Sequence, residues 1–135
     1  MSAIMDVAVA PLTSARGWLR IEALAAFVAG LALYGSLGGP WLAVVPLLLL
    51  PDISAVGYLG GPRLGAMTYN LVHNWVLGLG MAGLGLVTDA TPVAILGAVF
   101  VAHVGIDRAL GYGLKLPSSF QDTHLGRIGR GHGQS

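Results

Sequence analysis

The sequence predicts an all-α, polytopic membrane protein: four transmembrane helices in a compact bundle, with both termini cytoplasmic. Three observations carry this reading. Of the 135 residues, 55% are hydrophobic and 10% charged, with a mean hydropathy of +0.76, far too apolar for a soluble domain of this length. The apolar residues gather into four stretches, each with about the 17 to 25 residues that a ~30 Å hydrocarbon core requires. The seven Lys and Arg residues all fall on one side of the alternation that those stretches define.

Residues 1–17 read as a flexible leader, because they lack a basic n-region and contain Asp6 and Pro11, unlike a cleaved signal peptide. The helices cover about Trp18 to Leu37, Trp41 to Leu59, Leu64 to Val87 and Pro92 to Leu114. Turn formers separate them: GSLGGP at 35–40, GGPR at 60–63 and TDATP at 88–92. The transmembrane domain is therefore placed at 18–115, followed by a polar cytoplasmic tail at 116–135. The tail segment FQDTHLGRIG, with Asp122 and His124, is expected to be a solvated terminus whose Leu125 and Ile128 touch the interface. A lid folded under the bundle is the alternative, and His132 is expected to be disordered.

Orientation follows from the basic residues. Arg16 and Arg20 lie at the start of the first helix, Arg63 lies between the second and third, and Arg108, Lys115, Arg127 and Arg130 sit at or after the end of the fourth. The other two loops carry none, so the positive-inside rule puts both termini and the 60–63 loop in the cytoplasm. The net charge of +1 points to no nucleic acid or other polyanion, leaving the lipid bilayer as the expected partner. Absence of cysteine excludes disulfides, Cys-ligated zinc or iron–sulfur clusters, and covalent haem. Small residues at helical spacing, Gly78, Ala82 and Gly85 on the third helix and Ala98, Ala102, Gly105 and Ala109 on the fourth, let backbones approach closely.

Counting from the cytoplasmic ends gives depth. Asp52 lies nine residues from Gly61, His73 ten from Arg63 and His103 eleven from Leu114. At ~1.5 Å per residue all three stand roughly 14 to 17 Å deep, at one level. Asp107 follows His103 by one turn on the same face, and Asn70 precedes His73 by three residues. Glu22, Tyr58 and Tyr69 lie nearer the cytoplasmic surface, where Tyr58, Tyr69 and Tyr112 first read as interfacial aromatics. Pro46 and Pro51 should kink the second helix just before Asp52 and free backbone carbonyls.

Charges at mid-bilayer cost at least ~2.5 to 3.5 kcal/mol each on insertion scales, whereas interhelical hydrogen bonds return ~0.6 to 2 kcal/mol. Two imidazoles and two carboxylates at one depth form a mixed N/O set suited to one divalent metal: zinc, manganese or iron. The candidate ligands are Asp52, His73, His103 and Asp107, with Glu22, Tyr58, Tyr69, Asn70, Arg108 and His124 as supporting polar residues. Arg108 is the one nearby cation on this reading, and it projects away from Asp107 to snorkel or pair with Glu22. A structural hydrogen-bond network, a proton pathway and a b-type haem between the two histidines are the competing readings.

The series LLPDISAVGYLGGPRLG, YNLVHN and AHVGIDRALGYGLKLPSSFQDTHLGRIG resembles an uncharacterised bacterial family of small four-helix membrane proteins, a domain of unknown function, over roughly residues 18–130. The resemblance implies the bacterial cytoplasmic (inner) membrane and no assigned activity. More loosely, Pro51-Asp52 and the His103-x-x-x-Asp107 block are similar to motifs of membrane-bound metal-dependent hydrolases. Ser54 stands where those enzymes carry a second acid, and their middle HRxxTHS block is reduced here to His73. That similarity implies a metal-dependent hydrolase with a cytoplasm-facing site.

The topology is directly testable. Reporter fusions at Gly38 and Asp89 should report the outside and one at Gly61 the cytoplasm; a reporter at Gly61 found outside would invert the depth count as well.

Overall fold

Ser14, in extended backbone, opens helix α1 (Ala15–Ser36) by accepting the Gly17 N–H at 3.0 Å. The computed structural model describes residues 3–5 and 12–128; Asp6, Pro11, Arg130 and His132, and the expectations placed on them, lie outside the described residues. Four segments are long and apolar enough to cross a membrane: Ala15–Ser36, Trp41–Gly60, Pro62–Val87 and Thr91–Leu110. The helical bundle expected from composition is the one observed.

Two of those segments are irregular. The second runs through a 3-10 turn (Trp41–Ala43), one short α-helix, α2 (Val44–Leu49), and a long 3-10 stretch (Leu50–Gly60). Prolines at 46 and 51 remove backbone donors there, so the change of helix type replaces the simple kink expected. The third segment is not one helix but two: α3 (Pro62–Val72) stops at His73, and α4 (Trp75–Val87) starts after Asn74.

Helix α5 (Thr91–Leu110) is the hub, packed along α1 on one side and α4 on the other, while α3 packs on the 3-10 stretch. Glycine makes both α5 contacts close. A Cβ on Gly105 would lie 2.6 Å from the Phe27 nitrogen, and one on Gly78 would lie 2.9 Å from the Val101 nitrogen. The α5 stripe Ala98–Ala102–Gly105 thus meets α1 through Ala23, Phe27 and Gly30, whereas the α4 stripe meets the Ala94–Gly97–Val101 face. Near the 36–41 turn the packing is apolar, with Tyr34, Ala98 and Val99 fully enclosed. Large apolar side chains such as Leu42, Leu59 and Val87 remain on the outside, the surface a lipid solvent would cover.

Gly111, at φ 96°, ends α5 at Leu110, four residues short of the expected Leu114. The chain then turns back rather than running free. Strands β1 (Asp122–Thr123) and β2 (Gly126–Arg127) form an antiparallel hairpin, and Lys115 bridges to Thr123. The segment 115–128 packs back through Thr123 and Leu125, which are buried, while Leu116, Pro117, Ser118, Phe120 and Gln121 stay exposed. The Arg127–Asp122 ion pair at 2.7 Å and the Ser118–Asp122 bond at 2.6 Å brace the hairpin internally.

Close backbone approach makes a prediction. Gly105→Ala should destabilise the protein by roughly 1–3 kcal/mol through overpacking, read as a lower thermal midpoint in detergent. Gly80→Ala, with nothing within 4 Å of the added carbon, should be neutral or slightly stabilising; equal effects from the two would refute the tight α1–α5 seam.

Candidate functional site

The irregular segments supply the site. The carbonyl of Leu48 lies at the end of α2, where the helix type changes and Pro51, three residues on, has no N–H to give. That carbonyl instead accepts from Nδ1 of His103. On the third segment, His73 occupies the break with φ −103° and ψ 33°, and its Nδ1 donates to the Tyr69 carbonyl at 2.8 Å. Its ring lies flat on Tyr69, with centroids 3.6 Å apart and planes 6° from parallel.

Asn74 and Arg108 close the break itself. The Asn74 side-chain carbonyl accepts from the N–H groups of Val76 (2.8 Å) and Leu77 (3.1 Å), capping α4. Its amide donates back to the carbonyls of Asn70 (2.7 Å) and Leu71 (2.9 Å) at the end of α3. Arg108 donates from Nη2 to the His73 carbonyl at 3.2 Å and stacks over Trp75 at 5.6 Å. Arg108 therefore neither snorkels freely nor pairs with Glu22, as expected from sequence; it satisfies backbone left open by the broken helix.

With both Nδ1 atoms donating to carbonyls, both Nε2 atoms point inward. They stand 3.0 Å apart. Asp52 Oδ1 is 3.2 Å from each of them, and Asp107 Oδ2 is 3.1 Å from His103 Nε2 and 3.8 Å from His73 Nε2. One ligand atom from each of the four residues lies within 4.8 Å of all the others. Bonds of roughly 2.0–2.2 Å to zinc place tetrahedral ligand atoms about 3.3–3.6 Å apart, close to these separations. The imidazoles are almost completely buried, whereas the side chain of Asp107 is 21% exposed and that of Asp52 51%. The separation of 3.0 Å leaves no room for a porphyrin between the rings.

The chemistry of this donor set favours a cation. A carbonyl can only accept, so each imidazole carries its proton on Nδ1 and, when neutral, presents a lone pair at Nε2. Two lone pairs at this distance repel, and two carboxylates add to the repulsion. Either a proton or a metal ion between them removes it, and the residues present fit a divalent metal.

The remaining residues divide between two places. Asp52, Ala55, Tyr69, Asp107, Tyr112, Lys115, Phe120 and Ile128 line a cavity of about 440 Å³ beside the cluster. Glu22, Arg108 and His124 line a different one, about 290 Å³, along α1 and α4. They are not part of the cluster. His124 accepts the Leu114 N–H through Nδ1 at 2.7 Å, and burial, with Arg108 nearby, holds its pKa below the usual histidine range. Asn70 clamps the backbone of Lys115, donating to its carbonyl at 2.8 Å and accepting its N–H at 2.7 Å. Tyr58 packs edge-on to Phe120, and Tyr69, 7% exposed, is a wall of the site rather than an interfacial anchor. The Ser54 hydroxyl donates to the Pro51 carbonyl at 2.8 Å, and its own carbonyl accepts from Thr68 at 2.8 Å.

Sequence reasoning missed Asn74 and Lys115. Asn74 has the signature of an N-cap residue, masked by the apolar run around it. Lys115 read as one more inside positive charge, although it is 3% exposed and faces the cavity.

Fold and site together define a helical protein with four segments able to span a membrane and an Asp/His centre, its imidazoles buried, that could hold a metal ion. The chain belongs to a family described as a domain of unknown function, DUF4260, which matches residues 16–128. No curated protein and no solved structure matches it.

Asn74→Ala should cost about 1–2 kcal/mol as a lost cap, and more where water cannot reach the freed groups. Thermal unfolding in detergent measures it, with faster exchange of the Val76 and Leu77 amides as the local signature; unchanged exchange there would contradict the capping role.

Proposed function

We propose that this protein is a metal-dependent hydrolase of the bacterial inner membrane, with one divalent ion held by Asp52, His73, His103 and Asp107 and a site open toward the cytoplasm. One observation carries the metal: two inward Nε2 atoms 3.0 Å apart, each on a ring whose Nδ1 is already committed as a donor. The Leu48 and Tyr69 carbonyls act as outer partners that set tautomer and ring orientation, as such partners do in metal sites generally. The opening of Asp52 onto the cavity and the two motif similarities, Pro51-Asp52 and His103-x-x-x-Asp107, support hydrolysis. The basic-residue distribution supports the cytoplasmic orientation.

A divalent metal held by these four residues with room for a further ligand from the cavity would polarise an ester or phosphate and lower the pKa of a bound water. The chain's own residues supply the rest. His73 and His103 stay neutral and fixed; Asp107 is held one turn from His103 on α5. Asp52, the most exposed of the four, is the ligand that stands at the mouth of the cavity. Tyr112, Lys115, Phe120 and Ile128, from the chain after α5, line the same cavity.

Elemental analysis of tag-free, detergent-purified protein should find about one equivalent of zinc, manganese or iron, lost in His73→Ala and His103→Ala. Metal at 100 times its Kd should add about 2.7 kcal/mol of stability. Metal-free wild type that gains no stability from any of the three ions, together with a silent Asp107→Asn, would overturn the proposal in favour of a proton-linked structural network.

A further inference from the structure

The cavity beside the cluster contains a cation that, among the described residues, no ion pair within 4 Å neutralises. Lys115 is 3% exposed, and its backbone is locked to Asn70 by two hydrogen bonds. Its ammonium rests 3.7 Å from the Phe120 ring centroid and 5.0 Å from that of Tyr69. Among the ion pairs of the described residues, none reaches Lys115. Aromatic faces attract an ammonium without neutralising it. A lysine so enclosed, walling the same cavity as Asp52 and Asp107, needs an anion to complete its surroundings.

Neither carboxylate fills that role once a metal is bound. With neutral imidazoles, Asp52 and Asp107 balance a divalent ion, and Lys115 then leaves the cavity with one net positive charge. Without metal the same count leaves one net negative charge, which repels anions. Hard oxygen-rich anions suit both an ammonium and a divalent ion bound by N and O ligands. The rest of the lining, Ala55, Tyr69, Tyr112, Phe120 and Ile128, is largely apolar and suits the body of an amphiphile.

We propose, resting on the metal centre above, that this cavity binds a phosphate group between the metal and the Lys115 ammonium, making a phosphate ester the substrate class of the site. Lys115 is a binding residue for that ester, and Asn70 positions it. The phosphate is borne either by a soluble molecule or by a lipid headgroup; both present the same anionic oxygens.

Lys115 is the chain's single lysine, so lysine labelled with ¹⁵N at Nζ gives one resonance from this position. Full-length, tag-free protein in dodecyl maltoside, loaded with zinc and freed of excess ion, is titrated with inorganic phosphate in one arm and phosphatidic acid in the other. The Nζ signal should shift saturably in at least one arm for the loaded protein, and in neither for the metal-free protein. Response to inorganic phosphate identifies a soluble source; response to phosphatidic acid alone identifies a headgroup. Lys115→Met should keep stoichiometric zinc and weaken the phosphate-dependent rise in thermal midpoint at least tenfold in concentration, with Lys115→Arg restoring part of it. Stoichiometric zinc with an unmoved Nζ resonance in both arms overturns this inference and leaves the metal centre standing. Failure to take up any of zinc, manganese or iron(II) overturns the metal centre, and this inference with it.

Discussion

Every backbone N–H and C=O in a hydrocarbon solvent must find a partner inside the protein, and the site grows out of the two places where the helices fail to provide one. Pro51 has no N–H to offer the carbonyls at the end of α2, and His103 donates to the Leu48 carbonyl there. The break at His73–Asn74 leaves groups at two helix ends, and Asn74 and Arg108 fill those. Irregular backbone and polar side chains are therefore one construction. Neither half is stable at this depth without the other, which is why the polar residues gather around the irregular segments and not elsewhere in the bundle.

Helix α5 makes that construction possible by being central. It carries His103 and Asp107 on one face and Arg108 on the next, so one element reaches the second segment, the break in the third and the cavity at once. Reaching all of them requires short interaxial distances. Gly30, Gly78, Gly97 and Gly105 provide these by putting backbone against backbone on both sides of α5. A larger residue in either seam would move the histidines apart as well as strain the packing.

Nearer the Leu110 end, the chain after α5 turns under the bundle and becomes part of the site. Asn70 on α3 holds Lys115, Lys115 bridges to the hairpin, and Phe120 closes over both the lysine and Tyr58. The cluster thus has a buried side made of imidazoles and an open side made of Asp52, aromatic rings and one ammonium. A symmetrical structural core has no need of such a difference between its faces.

Much of this was legible in the sequence, for a physical reason. A regular helix converts residue number into depth at a constant rise, so counting from the charged ends put Asp52, His73 and His103 at one level, and helical spacing added Asp107. Hydropathy alone placed the four candidate spans, because the length of an apolar run measures the thickness it can cross. Depth says nothing about which way a side chain turns. That Nε2 rather than Nδ1 faces inward, that Arg108 answers a carbonyl instead of Glu22, and that Lys115 enters the cavity were decided by tertiary contacts. Each depends on a backbone group exposed or covered by a segment distant in sequence: Leu48 for His103, His73 for Arg108, Asn70 for Lys115. Composition and periodicity determined how far each residue lies into the bundle; only the packed structure decided what it meets there, because a hydrogen bond is directional and hydropathy is not.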